Sequence, residues 1–176
     1  MTIKTKLLFI IIGDDRTGKT TLQKLLIEKL CNTSYDRLPT NISLEITHPE
    51  IKRKYKRISF GNRSYQEKRN EYRTVEEYFS NHFNDCEISF ISSHLAPNEI
   101  DQMILQGKRR FFNVNAIFFS NSINQNLLLN SQISESNWDE RFLIDNPLVQ
   151  ENNIHTQLNL IAENIVDLLI NRTKIS

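Results

Sequence analysis

The chain has 176 residues, a length that suits one domain with one sizeable hydrophobic core. Its formal net charge of +1 provides no overall field that would commit it to nucleic acid or to a membrane surface. Its two cysteines, Cys31 and Cys86, lack the spacing of metal ligands. The apolar run at residues 7–12 is too short to cross a bilayer and has no small-residue cleavage site, so we expect no membrane association.

Hydrophobic patterning predicts strands that alternate with helices. The continuous apolar run at residues 4–12 is typical of a buried central strand. Further strands are predicted at 41–47, 86–92, 114–120 and 141–145, and helices at 18–31, 63–84, 97–106 and 154–171. Gly107 is expected to end the third helix. Residues 51–62 are hard to assign, and the Asn-rich segment 121–137 is expected to be a loop around one short helical piece.

This alternation predicts a three-layer α/β fold, with residues 1–176 as one domain. Right-handed crossovers would give a mostly parallel sheet of about five strands with helices on both faces. Ligands bind at the carboxyl ends of the strands in such sheets. We therefore expect functional side chains after the strands, at Gly13, 47–50, 92–94, 120–122 and 145–146.

Residues 13–20 read Gly-Asp-Asp-Arg-Thr-Gly-Lys-Thr and fit the pattern G-x-x-x-x-G-K-[ST] between a strand and a helix. Gly13 and Gly18 would let the backbone wrap around phosphates, and the helix N-terminus would add to the field. Lys19 would reach the β- and γ-phosphates, and the Thr20 hydroxyl would ligate Mg²⁺. A plain strand-to-helix turn would not explain why Lys19 and Thr20 follow the second glycine.

The pattern therefore predicts a P-loop nucleotide-binding domain. The residues expected to bind the nucleotide are Gly13, Asp14, Thr17, Gly18, Lys19, Thr20 and Thr21. Together with such a loop, the two cysteines favour a reducing, cytoplasmic location.

With Thr21 included, the same residues resemble the phosphate loop of thymidylate kinases and related deoxynucleotide kinases. The resemblance implies ATP as donor, Mg²⁺ as cofactor and a small phosphorylated acceptor such as a nucleoside monophosphate, and it leaves open a homodimer. It also implies that Asp15 contacts the acceptor sugar and that Arg16 stabilises charge on the transferring phosphoryl group. Lys19, Arg16 and Asp15 are thus the expected catalytic residues. Segment 121–137 contains no Lys or Arg, as in kinases of this group whose loop supplies the arginine.

Two other segments bear on this resemblance. The run Ile-Thr-His-Pro-Glu at 46–50 is similar to the Arg-x-Pro-Glu or Arg-Glu-Pro turn of the family. His48 or Thr47 replaces the usual arginine, and the resemblance implies that His48 contacts the acceptor. Asp145-Asn146-Pro147 would lie where the family contacts adenine.

The run Ser92-Ser93-His94 departs from the family, which has an acidic corner there to organise Mg²⁺. The absence of a carboxylate favours an alternative: a catalytically degenerate nucleotide-binding module that acts through a protein or nucleic-acid partner. His94 would then contact nucleotide or metal-bound water, or simply pack the loop. A GTPase is disfavoured, since no Asp-x-x-Gly follows the third strand and no Asn-Lys-x-Asp the fourth.

Residues 52–57, Lys-Arg-Lys-Tyr-Lys-Arg, form the strongest charge run. Three interpretations stay open. The run and the following helix could close over the acceptor, with Arg69 or Arg73 holding its phosphate as a fork. It could contact nucleic-acid phosphates, with Tyr55 and Tyr65 available for stacking. It could also be a solvated face paired with nearby glutamates.

Overall fold

The computed structural model describes residues 5–174, in which six strands form a single sheet with helices on both faces. The strands are β1 (Lys6–Ile12), β2 (Asn41–Glu45), β3 (Arg57–Gly61), β4 (Ile88–Ser93), β5 (Phe112–Phe119) and β6 (Glu140–Ile144). The helices are α1 (Lys19–Cys31), α2 (Arg69–Tyr72), α3 (Val75–Asn81), α4 (Pro97–Arg109), α5 (Ser120–Gln125), α6 (Leu127–Ser134) and α7 (Glu151–Lys174). Short 3₁₀ turns occupy Ile51–Arg53 and Gln66–Lys68. Lys4, predicted to begin the first strand, lies outside the described residues.

The strand β1 is the centre of the sheet, whose order is β2-β3-β4-β1-β5-β6. It pairs in parallel with β4 and with β5. Its residues from Leu7 to Ile12 are all buried because both faces of the sheet are covered. Leu7, Phe9 and Ile11 pack with α1 and α7, and the alternate residues pack with α3 and α4 on the other face. The predicted α/β class and mostly parallel sheet are confirmed.

The hairpin β2–β3 is the main difference from the predicted sheet. Residues 51–62, which patterning left unassigned, contain β3, and β2 pairs with β3 antiparallel, with Glu45 opposite Arg57. The strand β3 is parallel to β4. The chain after β2 therefore turns at the edge where the parallel strands begin, not at the edge where they end.

The predicted helix at 63–84 is wrong as a single element. Arg73 adopts φ 62° and interrupts it, and Thr74 then caps α3 by accepting a hydrogen bond from the Glu77 N–H at 3.0 Å. The predicted loop at 121–137 instead contains α5 and α6. The Asn126 side chain caps α6 by accepting from the Leu129 N–H at 3.2 Å, so one asparagine of this segment begins a helix.

Gly107 does not end α4, which continues to Arg109. A Cβ at Gly107 would come within 2.8 Å of side-chain atoms of Leu8 and of Val114, so this glycine allows the helix to approach the sheet closely. Trp138 is buried before β6 and donates from Nε1 to the Ile133 carbonyl at 2.8 Å. Among residues 5–174, no helix has the length and apolar character needed to cross a membrane.

Candidate functional site

The loop of residues 13–20 joins the end of β1 to the start of α1. The Gly13 N–H donates to the Ser93 carbonyl at 3.0 Å and fixes the loop to the end of β4. The Thr17 hydroxyl donates to the Asp14 carbonyl at 2.9 Å. A Cβ at Gly13 would lie 2.7 Å from the Thr17 Oγ1, so the tight closure of the loop requires glycine there.

The backbone of this loop presents unused donors. Arg16 at φ 63° and Gly18 at φ 106° both lie in the left-handed region. Alternation of backbone conformation of this kind makes concave groups of N–H donors that bind anions. Within residues 5–174, the N–H groups of residues 14–18 donate no hydrogen bond, and the first turn of α1 contains no acidic residue. The loop and the N-terminus of α1 thus form an arrangement suited to phosphate.

Lys19 places a cation at the same position. Its ammonium group donates to the Gly13 carbonyl and, at 2.7 Å, to the Asp14 carbonyl. Burial lowers the pKa of Lys19 below its usual range, although the nearby carboxylates of Asp15, Asp14 and Glu67 act in the opposite direction. The side chain therefore spans the loop whose N–H groups would meet the same phosphate.

The loop opens into a cavity of about 300 Å³, which is also lined by residues that follow β3. The Thr20 hydroxyl donates to the Asn62 Oδ1 at 2.8 Å. A hydroxyl and an amide oxygen are hard ligands, the type that Mg²⁺ accepts while it keeps several waters and binds substrate phosphates. Among the described residues, no three His, Cys, Asp or Glu side chains converge on a common metal position. The donor set thus fits Mg²⁺ held largely by phosphates and water.

Glu67 brings a carboxylate to this cavity from a position that sequence reasoning missed. The carboxylate accepts from the Ser64 N–H at 2.9 Å and from the Arg63 guanidinium at 2.7 Å. Burial alone would raise the pKa of Glu67, but these hydrogen bonds outweigh it and lower the pKa below its usual value. Ser64-x-x-Glu67 is a capping-box sequence, and that signal could have placed Glu67 at a chain turn.

A second groove, of about 450 Å³, adjoins the cavity and shares Arg63 and Glu67 with it. Arg37, Thr40 and Lys68 complete its lining. Arg63 pairs with Glu67 and Lys68 pairs with Glu71, so Arg37 is the cation of this lining outside these two ion pairs. The position is next to the 13–20 loop because β3, unlike β2, ends at the loop edge of the sheet.

On the other side of the loop, Asn121 and Asn146 fix its backbone. Both side-chain amides donate to the Thr17 carbonyl, at 3.3 and 3.1 Å. Asn146 also lines a narrow cavity of about 60 Å³ together with Arg16 and with the apolar side chains Leu148, Ile154 and Leu158. Arg16 lines both this cavity and the larger one. The predicted segment 145–147 therefore lies against the loop.

Arg69 and Arg73, which were predicted to hold an acceptor phosphate, line neither the cavity of the 13–20 loop nor the groove beside it. Arg69 forms an ion pair with Glu99 on α4. Arg73 follows α2 with φ 62° and ψ −72°, and its carbonyl accepts from the Tyr65 hydroxyl at 2.6 Å. The cations that line the groove beside the loop are instead Arg37, Arg63 and Lys68.

His48 is far from the loop, and its expected position beside the phosphates is wrong. Its N–H donates to the Leu30 carbonyl at 3.1 Å, near the end of α1. Leu30 is eleven residues beyond Lys19, or about 16 Å along the helix. The prediction assumed that β2 runs parallel to β1, whereas β2 is antiparallel to β3. The turn at residues 62–64 takes the place assigned to residues 47–50.

The end of β4 contains hydroxyl and imidazole groups at the position where the thymidylate kinase family has an acidic residue. The Ser92 hydroxyl accepts from Gln23 at 3.0 Å, and the Ser93 hydroxyl donates to the His94 carbonyl at 2.9 Å. The imidazole of His94 lies 3.8 Å from a carboxylate oxygen of Asp14 and 3.8 Å from one of Asp15. His94 thus faces both aspartates of the loop.

The basic run 52–57 lies at the opposite edge of the sheet, where β3 begins. It cannot close over an acceptor at the 13–20 loop. Tyr55 is 2% exposed and Tyr65 is 5% exposed, so neither ring is available to stack on a base. The predictions that this run closes over an acceptor and that Tyr55 and Tyr65 stack on bases are therefore wrong.

A comparison with models of protein families gave no match for this chain, and a comparison with curated proteins gave none either.

Proposed function

We propose that this chain is an ATP- and Mg²⁺-dependent phosphotransferase of the nucleoside monophosphate kinase type, acting in the cytoplasm. The observation that carries the proposal is that two neighbouring cavities share the side chains of Arg63 and Glu67. One contains the 13–20 loop with Lys19, and the other is cationic and shares Arg63 and Glu67 with the first. A donor and an anionic acceptor could then meet at the shared wall.

The topology supports a P-loop fold. The strand β1 lies between β4 and β5, and the chain moves to opposite sides of β1 in its two halves. Open α/β sheets bind ligands where the direction of winding changes, at the carboxyl ends of the strands. The 13–20 loop follows β1 at that point.

The donor would bind through the loop. The unused N–H groups of residues 14–18 and the Lys19 ammonium would receive the β- and γ-phosphate oxygens. The adenine would lie against Asn146, Leu148 and Ile154, which line the narrow cavity beside Arg16. Arg16 lines both this narrow cavity and the cavity of the 13–20 loop. A guanidinium there would stabilise charge on the transferring phosphoryl group.

Thr20 and Asn62 would hold the Mg²⁺, directly or through its waters. The ion supplies neutralisation of the charge that develops between the β- and γ-phosphates. Glu67 would orient water at the same cavity wall, because its carboxylate is ionised and fixed by Ser64 and Arg63.

The acceptor would bind in the second groove, where its phosphate would meet Arg37 and would compete with Glu67 for Arg63 and with Glu71 for Lys68. Asp15 would position the acceptor sugar, as the resemblance implies. An acceptor phosphate oxygen forms a bond to the γ-phosphorus while the bond from that phosphorus to the β–γ bridging oxygen breaks, and ADP leaves. Such transfer requires positioning and charge stabilisation more than covalent chemistry by the protein.

A second candidate is a nucleotide-binding module without transferase activity. It is favoured by the end of β4, where Ser92 and Ser93 are engaged in internal hydrogen bonds and His94 faces the loop aspartates. No carboxylate at this strand end is available to organise a metal ion.

The deciding experiment is ADP formation from MgATP in the presence of nucleoside monophosphates, deoxynucleosides or oligonucleotide ends, with Lys19→Ala as the inactive variant. Acceptor-dependent ADP formation that Lys19→Ala abolishes supports the kinase and identifies its acceptor. MgATP binding without turnover for any acceptor would reject the kinase in favour of the binding module.

A further inference from the structure

A basic groove of about 490 Å³ lies at the edge of the sheet opposite the 13–20 loop. It is lined by Lys52, Arg53, Lys56 and Arg57, together with Glu45 and Ile46. The strand β1 has seven residues, so this edge is about 23 Å from the loop. A ligand in this groove is therefore separate from the proposed nucleotide site.

The cations of the groove have few anionic partners in the described part of the chain. None of the four side chains forms an ion pair there with a carboxylate. Lys56 donates from Nζ to the Lys52 carbonyl, and Arg57 donates to the Ser43 hydroxyl at 2.7 Å. Glu87 lies at this edge too, but its carboxylate accepts from the backbone N–H groups of Lys56 and Arg57.

The chemistry of the lining distinguishes between kinds of partner. Specific protein interfaces depend on buried aromatic or apolar anchors at their centre. Among residues 5–174, the only apolar residue lining this groove is Ile46, which is itself buried. Binding to phosphate backbones requires only cations and donors, and arginine offers a planar fork to phosphate oxygens.

The aromatic content also bears on the form of nucleic acid. Proteins that bind single strands combine a basic groove with exposed rings on which bases stack. Tyr55, the aromatic residue of the basic run, is 2% exposed. A duplex presents its phosphates at higher density and needs no stacking partner.

We propose that the groove formed by Lys52, Arg53, Lys56 and Arg57 binds the phosphate backbone of double-stranded nucleic acid without reading its sequence. The interaction is independent of the proposed phosphotransferase, and a failure of either leaves the other intact. Four phosphate contacts predict a slope of about −3.6 in log affinity against log salt, or a loss of about 150-fold between 50 and 200 mM salt.

The test is fluorescence anisotropy of a labelled 20-base-pair duplex with the full chain between 50 and 200 mM salt. Lys52→Glu/Arg53→Glu removes two of the four cations from an exposed turn. We expect it to weaken binding by roughly tenfold or more at 100 mM salt and to reduce the slope by about 2. The matched control is Arg73→Glu/Arg109→Glu, which makes the same change of net charge at exposed residues outside the groove and should alter binding less than about threefold.

Several outcomes would overturn the proposal. They are no duplex binding at 50 mM salt, equal losses in the groove variant and the control, or tighter binding to a single strand than to the duplex. Displacement of the duplex by polyglutamate at an equal concentration of charge would assign the groove to an acidic protein instead. Lys52→Gln/Arg53→Gln, which removes the charges without reversing them, guards against misfolding and should show about the same reduction in slope.

Discussion

The two edges of the sheet both favour anions, but by different means. At the edge that follows β1, unused backbone N–H groups, a left-handed Arg16 and a half-buried Lys19 form the site. At the opposite edge, long side chains of the 52–57 run project from a short turn and from the start of β3. The first arrangement is fixed by the fold and suits one small polyphosphate, whereas the second is adaptable and suits an extended polymer. Their ligands should therefore differ in salt dependence and in sensitivity to single substitutions.

The largest expected effect is on turnover at the loop edge. Arg16→Ala should lower kcat by about 10³-fold while the affinity for ATP changes only slightly, because a phosphate-facing arginine acts mainly in the transition state. Steady-state ADP release with saturating acceptor measures this. Arg109→Ala, an exposed arginine of α4, is the control and should leave kcat unchanged. An equal kcat for Arg16→Ala would remove Arg16 from the mechanism.

The next largest effect is expected at the second groove, which we propose binds the acceptor, and it distinguishes the cations of this groove from Arg69, the residue predicted from the sequence. Arg63→Ala or Lys68→Ala should raise KM for the acceptor by roughly 10-fold or more, since each removes a charged hydrogen-bond donor from the groove. Arg69→Ala, which removes only the pair with Glu99, should leave this KM within about threefold. The reverse order of effects would restore Arg69 as the acceptor-binding residue.

The backbone of the loop can be tested through stability. Gly18→Ala should lower the free energy of unfolding by about 1–2 kcal/mol, because the residue is held at φ 106°. Arg16→Gly acts in the opposite sense at φ 63° and should be neutral within about 0.5 kcal/mol or stabilising. Urea unfolding measures both. A Gly18→Ala variant as stable as the natural chain would contradict the loop conformation.

The pH dependence of ATP binding should reflect the environment of Lys19. Its pKa is lowered, so the ammonium form is lost on the alkaline side at a lower pH than for an ordinary lysine. ATP affinity should therefore fall as pH rises, beginning below pH 10.5. Asp15→Asn removes a charge that raises this pKa and should shift the fall to still lower pH. Titration calorimetry across pH 7–10 tests the sign, and a shift to higher pH in Asp15→Asn would contradict it.

Much of the fold was predictable because its signals are local. The continuous apolar run of β1 and the strand-loop-helix context of residues 13–20 could be read directly from the sequence. The direction of β2 could not, because strand pairing is a long-range property and a short alternating strand has no polarity in its pattern. Because β3 was not assigned, β2 was expected to run parallel to β1, and this misplaced His48.

The site was less predictable than the fold. The loop residues were identified by their motif, but the groove that adjoins them combines Arg37 before β2 with Arg63 and Lys68 after β3, and no spacing rule connects these positions. Glu67 was not predicted, because the family resemblance implies an acidic residue at the end of β4 and not after β3. Asn121 and Asn146 hold the same carbonyl from the ends of β5 and β6, a convergence that depends on sheet order.

The most direct test of the central claim is calorimetric titration of MgATP into the natural chain, Lys19→Ala and Lys24→Ala. Lys24 lies on α1 as well but donates to the Asp36 carbonyl away from the loop. We expect the natural chain and Lys24→Ala to bind MgATP with equal affinity, and Lys19→Ala to bind it roughly tenfold or more weakly. No binding by the natural chain, or equal binding by Lys19→Ala, would contradict the assignment of the 13–20 loop as a phosphate site.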